Sequence, residues 1–201
     1  MPITAKSKVI NAALAHLGEP GYDDIEVAPA PPKLAKALAQ IEFVQDWVLR
    51  RHPWVCTLVY ASIERANRAG NWKYPYVFEL PATALRVWEI ADSIKWVRGS
   101  ETVGLAEKIV IWTDSAWPLD LSYVDRKTWE SYDADVTNVM AYELASRLAG
   151  PIQDDAMLAA RLHKSALEML ALAQGADGTE EGGQDPIFPS GFAQLRRAGS
   201  F

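Results

Sequence analysis

The sequence predicts an α+β protein: a helical bundle formed by the N- and C-terminal helices, a small antiparallel β module inserted between them, and an extended C-terminal arm. Three observations predict it. Apolar residues recur at helical spacing near both ends, as at Val136, Met140, Leu144 and Leu148. In the middle the period changes to short runs rich in Val, Ile, Tyr and Trp, separated by turn residues. Beyond Gly175, glycines and carboxylates replace the helical pattern. The expected boundaries are 1–53 with 133–175 for the bundle, 54–132 for the β module and 176–201 for the arm.

Thr4 or Ser7 can cap a first helix that places Val9, Ala13, Leu14 and Leu17 on one face and ends at Leu17-Gly18. Pro20, Pro29, Pro31 and Pro32 make the next segment an extended connection. Pro31 or Pro32 then opens a long helix, because proline is tolerated in a first turn. Leu34, Leu38, Ile41, Val44, Trp47 and Val48 carry its apolar spacing, Arg50 and Arg51 complement its dipole, and Pro53 stops it.

Six runs follow: WVCTLVYASIE, YPYVFELP, ALRVWEI, IKWVRG, KIVIWT and LDLSYVD. They read as a sheet or sandwich of about five or six strands, with the segment around Gly70 as a long flexible loop. Trp54, Trp88, Trp96 and Trp112 are expected in its core, while Trp72 and Trp117 flank loops and are interface candidates.

From Asp133 the helical period returns. Ala141, Ala145 and Ala149 lie beside the Val136–Leu148 stripe and are small enough for another helix to approach closely. Gly150-Pro151 is expected to end this helix. Asp154 or Asp155 can cap the last one, whose inward residues include Leu158, Leu162, Met169 and Ala173, and Gly175 is expected to end it.

Composition excludes several classes. The 201 residues suffice for a real core in one domain with an inserted module. A net charge of −6 disfavours a protein that grips DNA by its phosphates, although a local basic patch remains compatible with it. The single cysteine, Cys56, rules out an intrachain disulfide and fits a reducing compartment. The N-terminus lacks the pattern of a signal peptide, so the mature protein is expected to be the whole chain, and no run is apolar enough to span a bilayer.

No pattern points to chemistry. His16, His52 and His163 are scattered without metal-ligand spacing, and His52 reads as a cap at a helix end. Cys56, without a nearby His, reads as a buried small hydrophobe. Nucleophile elbows and phosphate-binding glycine loops are missing from the sequence. Asp23 with Asp24 and Glu26, Asp133 with Asp135, and Asp154 with Asp155 sit where carboxylates cap helices and loops. Arg65 and Arg68 near Lys73 form a modest basic patch at a presumed hairpin tip. No catalytic, cofactor or metal residue is assigned. The tail combines Asp177, Glu180, Glu181 and Asp185 among glycines with an apolar-basic tip: Ile187, Phe188, Pro189, Phe192, Leu195, Arg196 and Arg197. That composition reads as a docking arm.

Several stretches, in order, resemble the phage head-to-tail adaptors typified by tail tubular protein A. They are HLGEP after the first helix, RRHPWVCTLVYASI at the helix-to-strand junction, YPYVFELPATALRVWEI, and LDLSYVDRKTWESYDADVTNVMAYELASRLAGPI. The resemblance covers most of the chain; its specificity lies in the ordered combination, since no single motif is diagnostic. It implies a non-enzymatic virion protein in the neck between capsid and tail, assembled in the bacterial host cytoplasm. Identical subunits would form a ring, typically dodecameric, between the portal protein and the tail nozzle or tail-tube protein. Genomic DNA would pass through without sequence-specific binding, and no membrane is involved. The resemblance gives the arm tip the portal-docking role and the loop with Arg68 and Gly70 a tail-side or subunit contact. A stopper or head-completion connector of a long-tailed phage is the alternative. A small carboxylate-dependent hydrolase is a third reading; it requires at least two of Asp23, Asp24, His52 and Asp133 to meet in a concave site.

Overall fold

The computed structural model describes residues 4–91 and 94–180. Helices and sheets are both present, as the sequence predicts: among the described residues there are four α-helices and two three-stranded antiparallel sheets. The helices are α1 (Ala5–His16), α2 (Pro32–Leu49), α3 (Ala134–Gln153) and α4 (Ala156–Glu180). Between α2 and α3 come β1 (Leu58–Ile63), β2 (Tyr76–Glu79), β3 (Ala84–Ile90), β4 (Trp96–Val103), β5 (Ala106–Thr113) and β6 (Leu119–Asp125).

Helix α3 is the centre of the helical layer and packs against α1, α2 and α4. Both of its stripes explain this. Val136, Met140, Leu144 and Leu148 are buried, and so are Ala141, Ala145 and Ala149, whose small side chains let neighbouring backbones approach. Thr4 caps α1 by accepting the Ser7 amide at 3.2 Å, and Gly18 follows the helix at φ +70°. Pro32 stands at the start of α2, where its missing amide costs nothing.

Two helix ends differ from expectation. α3 does not stop at Gly150-Pro151 but runs to Gln153, with Pro151 inside it. Its last turn is held by contacts to other elements: Lys36 Nζ donates to the Pro151 carbonyl at 2.6 Å, and the Gln153 side-chain Nε2 donates to the Leu17 carbonyl. The left-handed residue that closes it is Asp154 at φ +56°, and Asp155 caps α4 by accepting the Leu158 amide at 2.8 Å. Likewise α4 does not end at Gly175 but continues through Gly178 to Glu180, so residues 176–180 are helix and not the start of an arm. A glycine in a helix costs about 1 kcal/mol relative to alanine. The compensation comes from Asp177, described below.

The strands form two sheets with orders β1-β6-β3 and β2-β5-β4. Phe78 and Ile111 from one sheet meet Val87, Leu119, Leu121 and Tyr123 from the other in a shared apolar layer. Val124 and Leu85 point the opposite way and join the helical core, together with Trp54. Of the four tryptophans expected in the β core, only Trp54 is fully buried, and it lies in the turn before β1. Trp88 is exposed, and Trp96 and Trp112 are half-buried. The reason is local: β3 carries register shifts at Ala84/Arg86 and Val87/Glu89 that turn Trp88 outward. On β4, Gly99 leaves the space that the Trp112 ring covers, since a β-carbon there would collide with the indole.

Tyr132 joins the loop after β6 to α2. Its hydroxyl accepts from Gln45 Nε2 at 2.7 Å and donates to the Lys127 carbonyl at 2.8 Å. Burial above all pushes the Tyr132 phenol from 10.0 up to about 12, with smaller opposing effects from these two bonds. Burial likewise raises the Cys56 thiol from 9.0 to about 11, and the negative charge of Asp133 adds to it. Both groups are neutral in the fold, and the unfolded chain surrenders their protons at lower pH. Stability is therefore expected to be full below about pH 9 and to fall as pH rises from there through 12. Tyr132 contributes about 2–3 kcal/mol of that loss by the top of the window. Tyr132→Phe should flatten the upper part of the curve while costing about 1–2 kcal/mol at pH 7, because the buried Gln45 amide loses its acceptor. Urea melts at stepped pH read both effects. An unchanged slope between pH 10 and 12 in the variant would contradict them.

Candidate interaction surfaces

The β register decides where the exposed aromatics stand. Tyr76 and Trp96 both pair with Thr113, and Ile63 pairs with Leu119. The loops 64–75 and 114–118 therefore leave the β module at one end. The other end of the β1-β6-β3 sheet, at Leu85 and Val124, is the one packed on the helices. Trp72 and Trp117, both interface candidates, thus project from the pole opposite the helical layer, 95% and 79% exposed. An indole left in water at one pole by two separate loops is unusual for a monomer surface and typical of a contact surface.

Arg68 and Gly70, the other two contact candidates, are tied into the subunit itself. Arg68 is half-buried and ion-paired with Glu79 and with Glu101, the latter at 2.9 Å, so it ties the loop to β2 and β4 rather than offering a free cation. The loop itself is cross-braced. Gly70 donates to the Pro75 carbonyl at 2.9 Å, Asn71 to the Tyr74 carbonyl at 2.9 Å, and the Asn71 side chain accepts the Lys73 and Tyr74 amides. A β-carbon at Gly70 would strike the Tyr74 carbonyl oxygen. Gly70→Ala should therefore displace the Trp72 tip at a cost of about 1–3 kcal/mol. Faster proteolysis between Arg65 and Tyr74 would report it, and an unchanged cleavage rate would contradict it.

The seven arm residues, Ile187, Phe188, Pro189, Phe192, Leu195, Arg196 and Arg197, lie outside the described residues. The described end of α4 is held in place by one carboxylate. Asp177, near the end of α4, is 8% exposed. Its carboxylate accepts the Val55 amide at 3.1 Å and meets His52 Nε2 at 3.0 Å. His52 packs edge-on against Trp54 with ring centroids 4.8 Å apart. The last turn of α4 is thereby pinned to the connection between α2 and β1. The sequence places Asp177 in the arm, because the glycines around it hide a partner 125 residues away.

The carboxylates proposed for hydrolysis do not gather. Asp24 Oδ1 accepts the Glu26 amide within its own loop, and His52 is taken by Asp177. Asp133 lines a recess of about 40 Å³ with Asp135, Asp177 and Trp54, too small for a substrate. Larger concavities lie elsewhere among the described residues. One of about 490 Å³ lies on the outer face of the first sheet, beside Tyr60, Ser62, Glu89, Asp120 and Ser122. Another, about 760 Å³, runs between α1 and α3 past Lys8, Ala12, Glu130 and Asn138. Neither contains any of the four predicted groups. Among the described residues no cluster of His, Cys, Asp or Glu has the arrangement of a metal site, and no helix is long and apolar enough to cross a membrane. No protein-family model matches this chain, and neither does any curated protein.

Sequence reasoning missed exposed apolar side chains on the helices. Phe43 on α2 and Met157 and Leu172 on α4 are 66%, 82% and 68% exposed. On α4 they fall between the inward positions, and in the sequence they blend into the apolar stripe.

Proposed function

We propose that this protein is a structural head-to-tail adaptor of a tailed phage, a ring-forming subunit that joins a portal to a tail component. The observation that carries the reading is the division of exposed aromatic and apolar side chains between two regions of one subunit. Trp72 and Trp117 stand at the distal pole of the β module, and Phe43, Met157 and Leu172 on the helices. A head-to-tail ring needs unlike, complementary surfaces on each subunit, and a connector needs contacts for two unlike partners. The helices at the two ends of the chain form the platform, the β module reaches toward the tail, and residues beyond Glu180 form the arm that docks on the portal through Ile187, Phe188, Phe192 and Leu195 with Arg196 and Arg197. The acidic balance of the chain, −6, suits a passage through which DNA moves without being held. The role is structural, with no catalytic step.

Co-sedimentation with particles of the portal protein from the same genome tests this. The full chain is expected to travel with the portal in a fixed stoichiometry. A chain that stays in the supernatant at micromolar concentration would contradict the proposal.

A further inference from the structure

We propose that the junction of the α2 end with the edge strands β3 and β4 binds a phosphate group, gripped by Arg50, Arg86 and Arg98. These residues come from three elements and are brought together by backbone contacts. Arg86 Nη1 donates to the Arg50 carbonyl at 2.9 Å. Arg98 Nη2 donates to the Ala84 carbonyl at 3.0 Å, two residues from Arg86. The Arg86 guanidinium lies over the Trp88 ring, 4.7 Å from its centroid, which fixes the plane of its fork.

What marks the place is missing compensation. Arg68, Arg126 and Arg147 each have a carboxylate partner. Among the described residues Arg50, Arg86 and Arg98 have none within 4.0 Å, in a chain with more acids than bases; Arg51, Arg65 and Arg161 have none either, but of these six only Arg98 also holds a nitrogen buried without a partner. Asp46, on the preceding turn of α2, is taken by Arg126, and Glu89 lines the cleft on the outer sheet face. Arg98 is the most exposed to this imbalance. Its Nε is sealed from solvent without a hydrogen-bond partner. Burial first, and then the charge of Arg50, pulls its pKa down, and no acidic group opposes them. A partly buried cation beside a second cation is unfavourable unless an anion joins them.

The geometry selects the class of anion. One guanidinium fork saturates the two oxygens of a carboxylate. Forks arriving from three elements can instead surround a tetrahedral oxyanion with several charge-assisted bonds. The phosphate can be free or part of a phosphodiester chain, and in the second case the exposed Trp88 ring gives an adjacent base a face to stack on.

The test uses the full chain at low ionic strength. Inorganic phosphate is titrated while the Arg98 Nε–H resonance and the melting temperature are followed. A saturable shift and a rise in melting temperature are expected. Arg50→Gln, a change at an exposed side chain, should weaken phosphate binding about tenfold or more and leave the melting temperature without phosphate equal to or above that of the original chain, since it removes the like charge beside Arg98. Arg98→Gln should abolish binding. Because Arg98 also braces Ala84, the Arg50 and Arg86 variants keep the test valid if that variant folds poorly. A short single-stranded oligonucleotide is titrated in parallel. Tighter binding than phosphate, lost in both Arg50→Gln and Arg86→Gln, identifies a phosphodiester, and phosphate binding alone identifies a free anion. No saturable shift, a shift indifferent to Arg50→Gln, or stronger competition by a poly-glutamate peptide would each overturn the site.

Discussion

Trp54→Ala is expected to destabilise the protein by about 3–5 kcal/mol, enough to remove most of the stability of an ordinary domain. The indole is fully buried in the helical core, where Leu85 and Val124 of the first sheet join the helices. Its Nε1 donates to the Val48 carbonyl at 3.2 Å, closing the end of α2. Its backbone carbonyl accepts both the Thr57 amide at 2.8 Å and the Thr57 hydroxyl at 3.1 Å, which sets the turn into β1. Its ring supports His52, the partner of Asp177. Truncation therefore leaves a cavity, removes one of the two bonds to the Val48 carbonyl, which keeps only the Arg51 amide, and loosens the pin on α4 together. Leu144→Ala in the centre of α3 is the comparison: a smaller core cavity, with the His52–Asp177 contact untouched. Denaturant melts with hydrogen exchange at the α4 end should show exchange there accelerated only by Trp54→Ala. Equal protection of residues 170–178 in both variants would contradict this role.

Two truncations should separate folding from docking. A stop after Glu180 removes only the arm, and is expected to leave the melting temperature within about 2 °C of the full chain while abolishing co-sedimentation with the portal. A stop after Gly175 also removes Asp177. The Val55 amide and His52 then lose a nearly buried carboxylate, which should cost about 2–4 kcal/mol. Asp177→Asn is the control. Its amide oxygen can still accept from Val55, so about half of that loss should be recovered. Retained portal binding by the chain ending at Glu180 would refute the docking arm.

Much of this was legible in the amino-acid sequence where local pattern and tertiary structure agree. The runs ALRVWEI and LDLSYVD coincide with β3 and β6, and both α3 stripes are buried, because a period of burial is written along an element. What was not legible depended on partners distant in the chain. Pro151 and Gly175 carry local helix-ending signals, but Lys36, Gln153 and Asp177 outweigh them through contacts spanning more than a hundred residues. Arg68 looked like a free cation because Glu101 lies 33 positions away. Trp88 looked like core because bulges, which re-aim side chains, leave little trace in composition. Trp72 and Trp117 could be singled out as loop-flanking aromatics, but only strand register shows that they share a pole. The arginines at 50, 86 and 98 had no sequence signature at all.

The most direct measurement is electron microscopy of the full chain mixed with its portal. Class averages viewed down the axis should show an added ring of density with the portal's rotational symmetry. Side views should show the helical layer toward the portal and the pole bearing Trp72 and Trp117 facing away. Portal particles without added density at saturating protein, or protein bound without rotational symmetry, would contradict the adaptor.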